Sequence, residues 1–182
     1  MLKKYIQNEV LRNILEWILS IAIAVVIFLL IDNFVLKSAR VHGGSMEPSF
    51  AHHDRVLVNR FIYNFTDPQL GDVIAFPFAS DRSQQYIKRI VGVPGDVIDM
   101  RDGFVYRNNV RLDDAFSAEP TFFHDINRFP VDVNDGEYFV LGDNRRISED
   151  SRSGTVGNVP REDILGRVDF RWFPFSRFGF ID

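Results

Sequence analysis

Residues 43–46 read Gly-Gly-Ser-Met, and residues 86–91 read Tyr-Ile-Lys-Arg-Ile-Val. A serine in a glycine-rich turn is an ordinary loop residue unless a base can take its proton. Ser45 does not sit in a G-x-S-x-G elbow, because Glu47 stands where the second glycine belongs. A histidine triad is one way to activate it, with His42, His52, His53 and His124 as candidates, although each reads more simply as a surface residue. Lys88 is the better base. Strand alternation puts Tyr86, Lys88 and Ile90 on one face and Ile87, Arg89 and Val91 on the other. One of the two basic chains can reach solvent, and Lys88 is the one flanked by apolar groups. Burial disfavours an ammonium and can lower a lysine pKa by several units, leaving an amine able to accept the Ser45 proton. If Lys88 instead reaches water along the sheet edge, it is an ordinary surface cation. A third stretch, residues 141–152, "LGDNRRISEDSR", spaces Ser148, Asp150 and Arg152 two apart, on one face of an extended backbone.

The elements that must position these residues are strands. Beyond residue 41 the apolar pattern has period two, clearest in "LGRVDFRWF", where Val168, Phe170 and Trp172 share the face assigned to the core. Similar runs occur at 55–61, 73–76, 86–91, 97–100, 104–106 and 137–141, separated by turn signals. Asp102-Gly103 between two apolar runs is a hairpin signal. Residues 113–135 have no clean period and read as a long excursion from the sheet. The N-terminus differs: Trp17–Ile31 carries no formal charge, and extension to Leu36 gives about 30 Å of helix, enough to span a bilayer. A cleaved secretory signal is the rival reading, but the run is long and Lys37 falls where a small-residue cleavage site would lie. The chain has no cysteine, which excludes disulfides and thiolate chemistry. With 21 basic against 25 acidic residues and no Lys/Arg block, no nucleic-acid partner is expected. The Phe-rich end "FRWFPFSRFGFID" offers Phe173, Phe175, Phe178 and Phe180 as groups that could dip into lipid.

Taken together and in this order, "GGSMEPSF", "LGDVIAF", "YIKRIVGVPGD" and "GDNRRISEDSR" behind one N-terminal span resemble the type I signal peptidases, membrane-anchored Ser/Lys endopeptidases that remove signal peptides from exported proteins. The resemblance runs from the anchor to about Gly166 and leaves 113–135 unmatched. It implies an all-β fold: a transmembrane helix followed by a largely antiparallel catalytic domain with a small β insertion. The parts are an N-terminal segment at 1–13, an anchor at 14–36 and an extracytoplasmic peptidase domain at 37–182, with the insertion near 97–136. By the same resemblance Ser45 is the nucleophile and Lys88 the general base. Ser148 orients the amine, Asp150 and Arg152 form an ion pair that shapes the site, and Asp143, Asn144 and Arg145 hold the turn. Gly43, Gly44, Met46, Gln85, Tyr86 and Ile87 line the substrate cleft, where small residues are preferred at the first and third positions before the cut. No metal or cofactor is required.

The implied partners are signal-peptide-bearing preproteins and the lipid bilayer of the cytoplasmic (inner) membrane, with the enzyme acting as a monomer. Two departures stand out. Gly43 occupies a place where some relatives carry a hydroxyl that assists the oxyanion hole, and "SGTVGNVP" follows Arg152 where an aromatic-Gly pair is common. The rival readings are a self-cleaving Ser/Lys protease of the repressor type, which would need a DNA-binding partner domain, and a membrane-anchored β domain that only binds.

Overall fold

The computed structural model describes residues 2–30, 36–78, 80–112 and 128–181. It forms two units, divided after Leu36. The first holds α1 (Leu2–Leu30), whose stretch Glu9–Leu29 has mean hydropathy 2.0 and is long and apolar enough to cross a membrane. Its large apolar side chains, among them Trp17, Leu19, Ile21 and Phe28, are exposed. A helix that is apolar all round has no aqueous face to offer, which is the pattern of a span.

The second unit is all β, as the period-two runs require. Its larger sheet has the order β1 (Leu36–Arg40), β2 (Arg55–Asn59), β11 (Gly166–Phe173), β3 (Val73–Phe78), β4 (Asp81–Gly92), β9 (Glu137–Leu141) and β10 (Val159–Pro160), and β12 (Gly179–Phe180) pairs with β11. A smaller sheet runs β7 (Val110–Arg111), β6 (Phe104–Arg107), β5 (Val97–Arg101) and β8 (Val131–Asp132). The pairings of β11 with β2 and β3, of β4 with β3 and β9, and those within the smaller sheet are antiparallel. The β5–β6 turn carries Asp102 and Gly103 at φ 51° and 80°, as a hairpin at that dipeptide demands. Asn108 and Asn109 make an equivalent left-handed pair between β6 and β7. Most of the excursion, 113–127, including His124, lies outside the described residues.

Three apolar clusters hold the second unit together. One packs Val41, Met46 and Phe50 against Val56, Val58, Val73 and Val168. Another joins Ile74, Phe76 and Ile90 to Tyr138 and Val140, and a third places Phe139 and Leu141 against Ile98, Met100 and Val105 of the smaller sheet. β4 therefore has both faces covered along its second half, where Lys88 through Gly92 are all buried. Arg89 was the basic residue free to face solvent on the alternation argument, yet it is as buried as Lys88. Period two reports which residues share a face, not whether a second layer closes the other one.

β11 also departs from simple alternation. Register shifts between Val168 and Phe170, and between Arg171 and Phe173, break the pattern. Val168 remains in the core, but Phe170 and Trp172 are only half-buried. Phe170 packs edge-on against Phe178 and Phe180 instead, and the Trp172 indole N–H donates to the Ser38 hydroxyl at 3.1 Å.

Candidate active site

Ser45 lies in the turn that follows Val41. Val41 is tied on both sides to the far end of that loop: its N–H donates to the Asp54 carbonyl at 2.8 Å, and its carbonyl accepts the His53 N–H at 2.9 Å. Met46 and Phe50, the loop's apolar plugs, are 1% and 0% exposed, and the Phe50 N–H closes on the Met46 carbonyl. Asp54 fastens the loop to the C-terminal segment. Its buried carboxylate accepts from Ala51 N–H, Arg171 and Arg177, while Arg171 also donates to the Ser49 carbonyl at 2.7 Å. Anchoring both ends leaves the intervening Gly-Gly-Ser free to face outward.

Lys88 reaches this turn from β4, where it is paired opposite Ile74. Its Nζ donates to Ser45 Oγ at 2.8 Å, and the residue is 3% exposed. Burial is the largest cause of a lysine pKa lowered from 10.5 to about 8. Asp150 pulls upward against it, Arg152 pushes down, and Asp143 and Glu149 pull up. The Tyr86 ring also lies 5.0 Å from Nζ. Each of the three histidines among the described residues is exposed, and none bonds to Ser45.

Behind Lys88 the 142–152 segment is a compact knot. The equal spacing of Ser148, Asp150 and Arg152 suggested an extended face, but the backbone turns repeatedly here, and the Ser148 N–H donates to the Asn144 carbonyl. What joins the three is the reach of one guanidinium. Arg152 binds both Asp150 oxygens at 2.8 and 2.9 Å and also donates to the carbonyls of Arg145 and Ser148. The second Asp150 oxygen takes the Gly142 N–H. Asp143 receives a bidentate fork from Arg89 at 3.0 Å per bond, and Asn144 N–H donates to the Ser45 carbonyl at 3.0 Å, which ties the knot directly to the Ser45 turn. Arg145 donates to the Gly142 carbonyl, and burial lowers its pKa to about 10.

Ser148 is 1% exposed and its hydroxyl has no hydrogen-bond partner, so the bond to the Lys88 amine that the resemblance implies is not formed in this arrangement. Its Oγ and the Ser45 carbonyl oxygen both crowd the Cα of Gly142, where any Cβ would overlap them. Gly142, Arg89, Ile147 and Glu149 are parts of the site that the sequence reading did not single out. Only the close approach at Gly142 had a local signal, a glycine immediately after a strand.

Gly43, Gly44, Met46, Gln85, Tyr86 and Ile87 line a single cleft of about 300 Å³ with Ser45 and Lys88, and Ile147 and Glu149 complete its wall. A second, contiguous hollow runs past Ser38–Arg40 on one side and Ser83–Ile87 on the other. The arrangement is a hydroxyl and a dry amine in contact at the floor of a groove between two extended segments. That is the equipment of acyl transfer from a peptide laid along the groove. No cluster of metal-ligating side chains occurs among the described residues.

A protein-family model described as "Signal peptidase, peptidase S26" matches residues 14–173. The chain belongs to that family. Among curated signal peptidases, Signal peptidase I S of Bacillus subtilis (strain 168) is 37% identical over 173 residues, 91% of this chain and 92% of the relative. Signal peptidase IB of Staphylococcus aureus (strain COL) is 32% identical over 182 residues, covering 92% and 93%. A crystal structure of a signal peptidase I from Enterococcus faecalis V583 is 32% identical, with a TM-score of 0.47, and covers 57% of this chain and 97% of that one. As a signal peptidase the chain is a serine endopeptidase, a hydrolase that cleaves signal peptides. The self-cleaving repressor and the non-enzymatic binding domain are thereby set aside.

Proposed function

We propose that the chain is a single-pass enzyme of the cytoplasmic membrane that removes signal peptides from exported preproteins with a Ser45–Lys88 dyad. The observation that carries the reading is the 2.8 Å contact between Ser45 Oγ and the Nζ of a lysine that is 3% exposed. As an ammonium, Lys88 donates to Ser45. Once it loses a proton, its lone pair faces the same hydroxyl, and the direction of the bond reverses. With a pKa of about 8, roughly a tenth of the enzyme is in that form at pH 7. The neutral amine then takes the hydroxyl proton as Oγ attacks the scissile carbonyl. The resulting ammonium returns a proton to the departing amine, and water repeats the sequence on the acyl-enzyme.

The substrate is laid as an extended strand between residues 41–45 and 84–87. Asp143, Asn144, Asp150 and Arg152 keep the knot behind Lys88 fixed, and Ser148 supplies a hydroxyl for the amine as it reprotonates. In this reading residues 1–13 form the N-terminal segment, 14–36 the anchor and 37–182 an extracytoplasmic, monomeric peptidase domain with its insertion near 97–136. Phe175, Phe178 and Phe180, which are 77%, 59% and 80% exposed, meet the lipid surface. The test is cleavage of a preprotein by the full chain in detergent. Ser45→Ala and Lys88→Met, both folded, should each lose at least a thousandfold in kcat. Retention of most activity by Lys88→Met would remove the lysine from the mechanism.

A further inference from the structure

Behind the nucleophile turn sits an imidazole that this chemistry does not use. His52 Nδ1 accepts the Gly43 N–H at 2.9 Å, so the ring carries its proton on Nε2. Gly43 has φ 80°, a left-handed conformation in which the adjoining peptide planes are set by whatever holds them. A trans peptide is planar, with its N–H and C=O pointing in opposite directions. Fixing the Gly43 N–H toward His52 therefore turns the His42 carbonyl the other way. That way is the cleft, since His42 and Gly43 line both hollows and His52 lines neither. The backbone bonds agree: Val41 spends its N–H and carbonyl on residues 53 and 54, while those of His42 meet no acceptor or donor among the described residues.

We infer that His52 is a positioning residue for the substrate: by holding the Gly43 N–H it aims the His42 backbone into the groove as the edge on which the incoming peptide strand adds. The inference rests on the proposed strand-wise docking beside Ser45. It assigns to an exposed histidine, outside the groove, control over how tightly the peptide main chain is held.

Two replacements separate the acceptor from the ring. Asn places an oxygen where Nδ1 lies, and Gln places one where Nε2 lies. The binding measurement uses the full chain in detergent, in the Ser45→Ala background, with a synthetic peptide bearing Ala at the first and third positions before the cut. His52→Gln should weaken Kd about five- to tenfold, and His52→Asn should restore it to within about twofold, the scale of one backbone hydrogen bond. With Ser45 intact, the His52→Gln loss should appear in KM and leave kcat nearly unchanged. Amide exchange at Gly43 should quicken in His52→Gln and stay slow in His52→Asn, which reads the bond itself without any activity. Equal Kd values for the Asn and Gln variants, or a loss confined to kcat, would overturn the inference. Cleavage of the peptide by the Ser45→Ala chain would instead overturn the dyad, a separate failure.

Discussion

The turn at 41–54 and the knot at 142–152 meet at one hydrogen bond between Asn144 N–H and the Ser45 carbonyl, and they are built on opposite principles. The turn leaves His42, Gly43, His52 and His53 exposed, and it is held by backbone bonds at its ends, by its apolar plugs and by the bonds at Gly43 and Ser45. In the knot Asp143, Arg145, Ser148, Asp150, Ser151 and Arg152 are all at most 2% exposed. The proposed Ser45–Lys88 chemistry accounts for the contrast. A nucleophile must be reached by a peptide, so its turn stays open. A lysine must be kept dry to be a base near neutral pH, so the charged groups around it are buried and paired with one another, the Ser148 hydroxyl being left unmatched, since a buried ion is tolerated only when its lone pairs and protons are satisfied.

The largest effect follows from breaking that matching. Asp150→Ala leaves the fully buried Arg152 guanidinium without its carboxylate and the Gly142 N–H without an acceptor. The expected cost is about 3–5 kcal/mol, or roughly 10 °C in Tm for a chain of this size. The matched control is Asp163→Ala, which deletes an ion pair to Arg82, itself 66% exposed, and should change stability by less than about 1 kcal/mol. Equal losses in thermal melts would mean that burial is not what distinguishes the knot.

Sequence alone made much of this visible, but unevenly. Ser45 and Lys88 could be paired because the ordered set of motifs around them resembles one family, whereas the glycine turn and the alternating strand taken singly fit an ordinary loop serine and a surface lysine. The strands and the Asp102-Gly103 hairpin follow from patterns a few residues long. What stayed hidden depends on distant layers. Arg89 looked like the solvent-facing partner of Lys88 until Asp143, 54 residues away, closed over it. Asp54 carries no sequence signal of its role, and only the folded chain brings Arg171 and Arg177 onto it. Phe170 and Trp172 drifted from the core because bulges in β11 shift the register, and such a shift leaves little trace in the residues themselves.

Lys88 itself carries a signed prediction of intermediate size. Its pKa falls from 10.5 unfolded to about 8 folded, so between those pH values the unfolded chain binds a proton that the folded chain does not. Stability therefore rises with pH through that window. Below about pH 8 both states are protonated, and the folded state bears the full cost, about 3–4 kcal/mol at roughly 1.4 kcal/mol per pKa unit. Lys88→Met removes the buried charge and should raise stability at pH 7 by up to that amount while abolishing cleavage. In the intact enzyme kcat/KM should fall about tenfold per pH unit below pH 8, as the base is lost. A profile flat from pH 5 to 9, or a Lys88→Met chain less stable than the parent at pH 7, would show that the knot does not hold the amine in a dry setting.

The smallest effect probes the open side of the comparison. His53 occupies φ 73°, a conformation costing a residue with a Cβ about 1–2 kcal/mol, of which glycine recovers all but its own entropic loss of roughly 0.5–1 kcal/mol. His53→Gly should then gain about 0.5 kcal/mol, or 1–2 °C in Tm, with kcat/KM within about twofold of the parent. The ring it removes lies 3.6 Å from that of His52, centroid to centroid. If the melt moved down and KM rose together, that contact would be helping to orient His52, and the Ser45 turn would depend on side-chain contacts at its open face as well as on its backbone bonds. If the melt moves up and KM holds, the turn relies on its backbone bonds and the His52 acceptor, and the strain at residue 53 is a local cost that the cleft does not use.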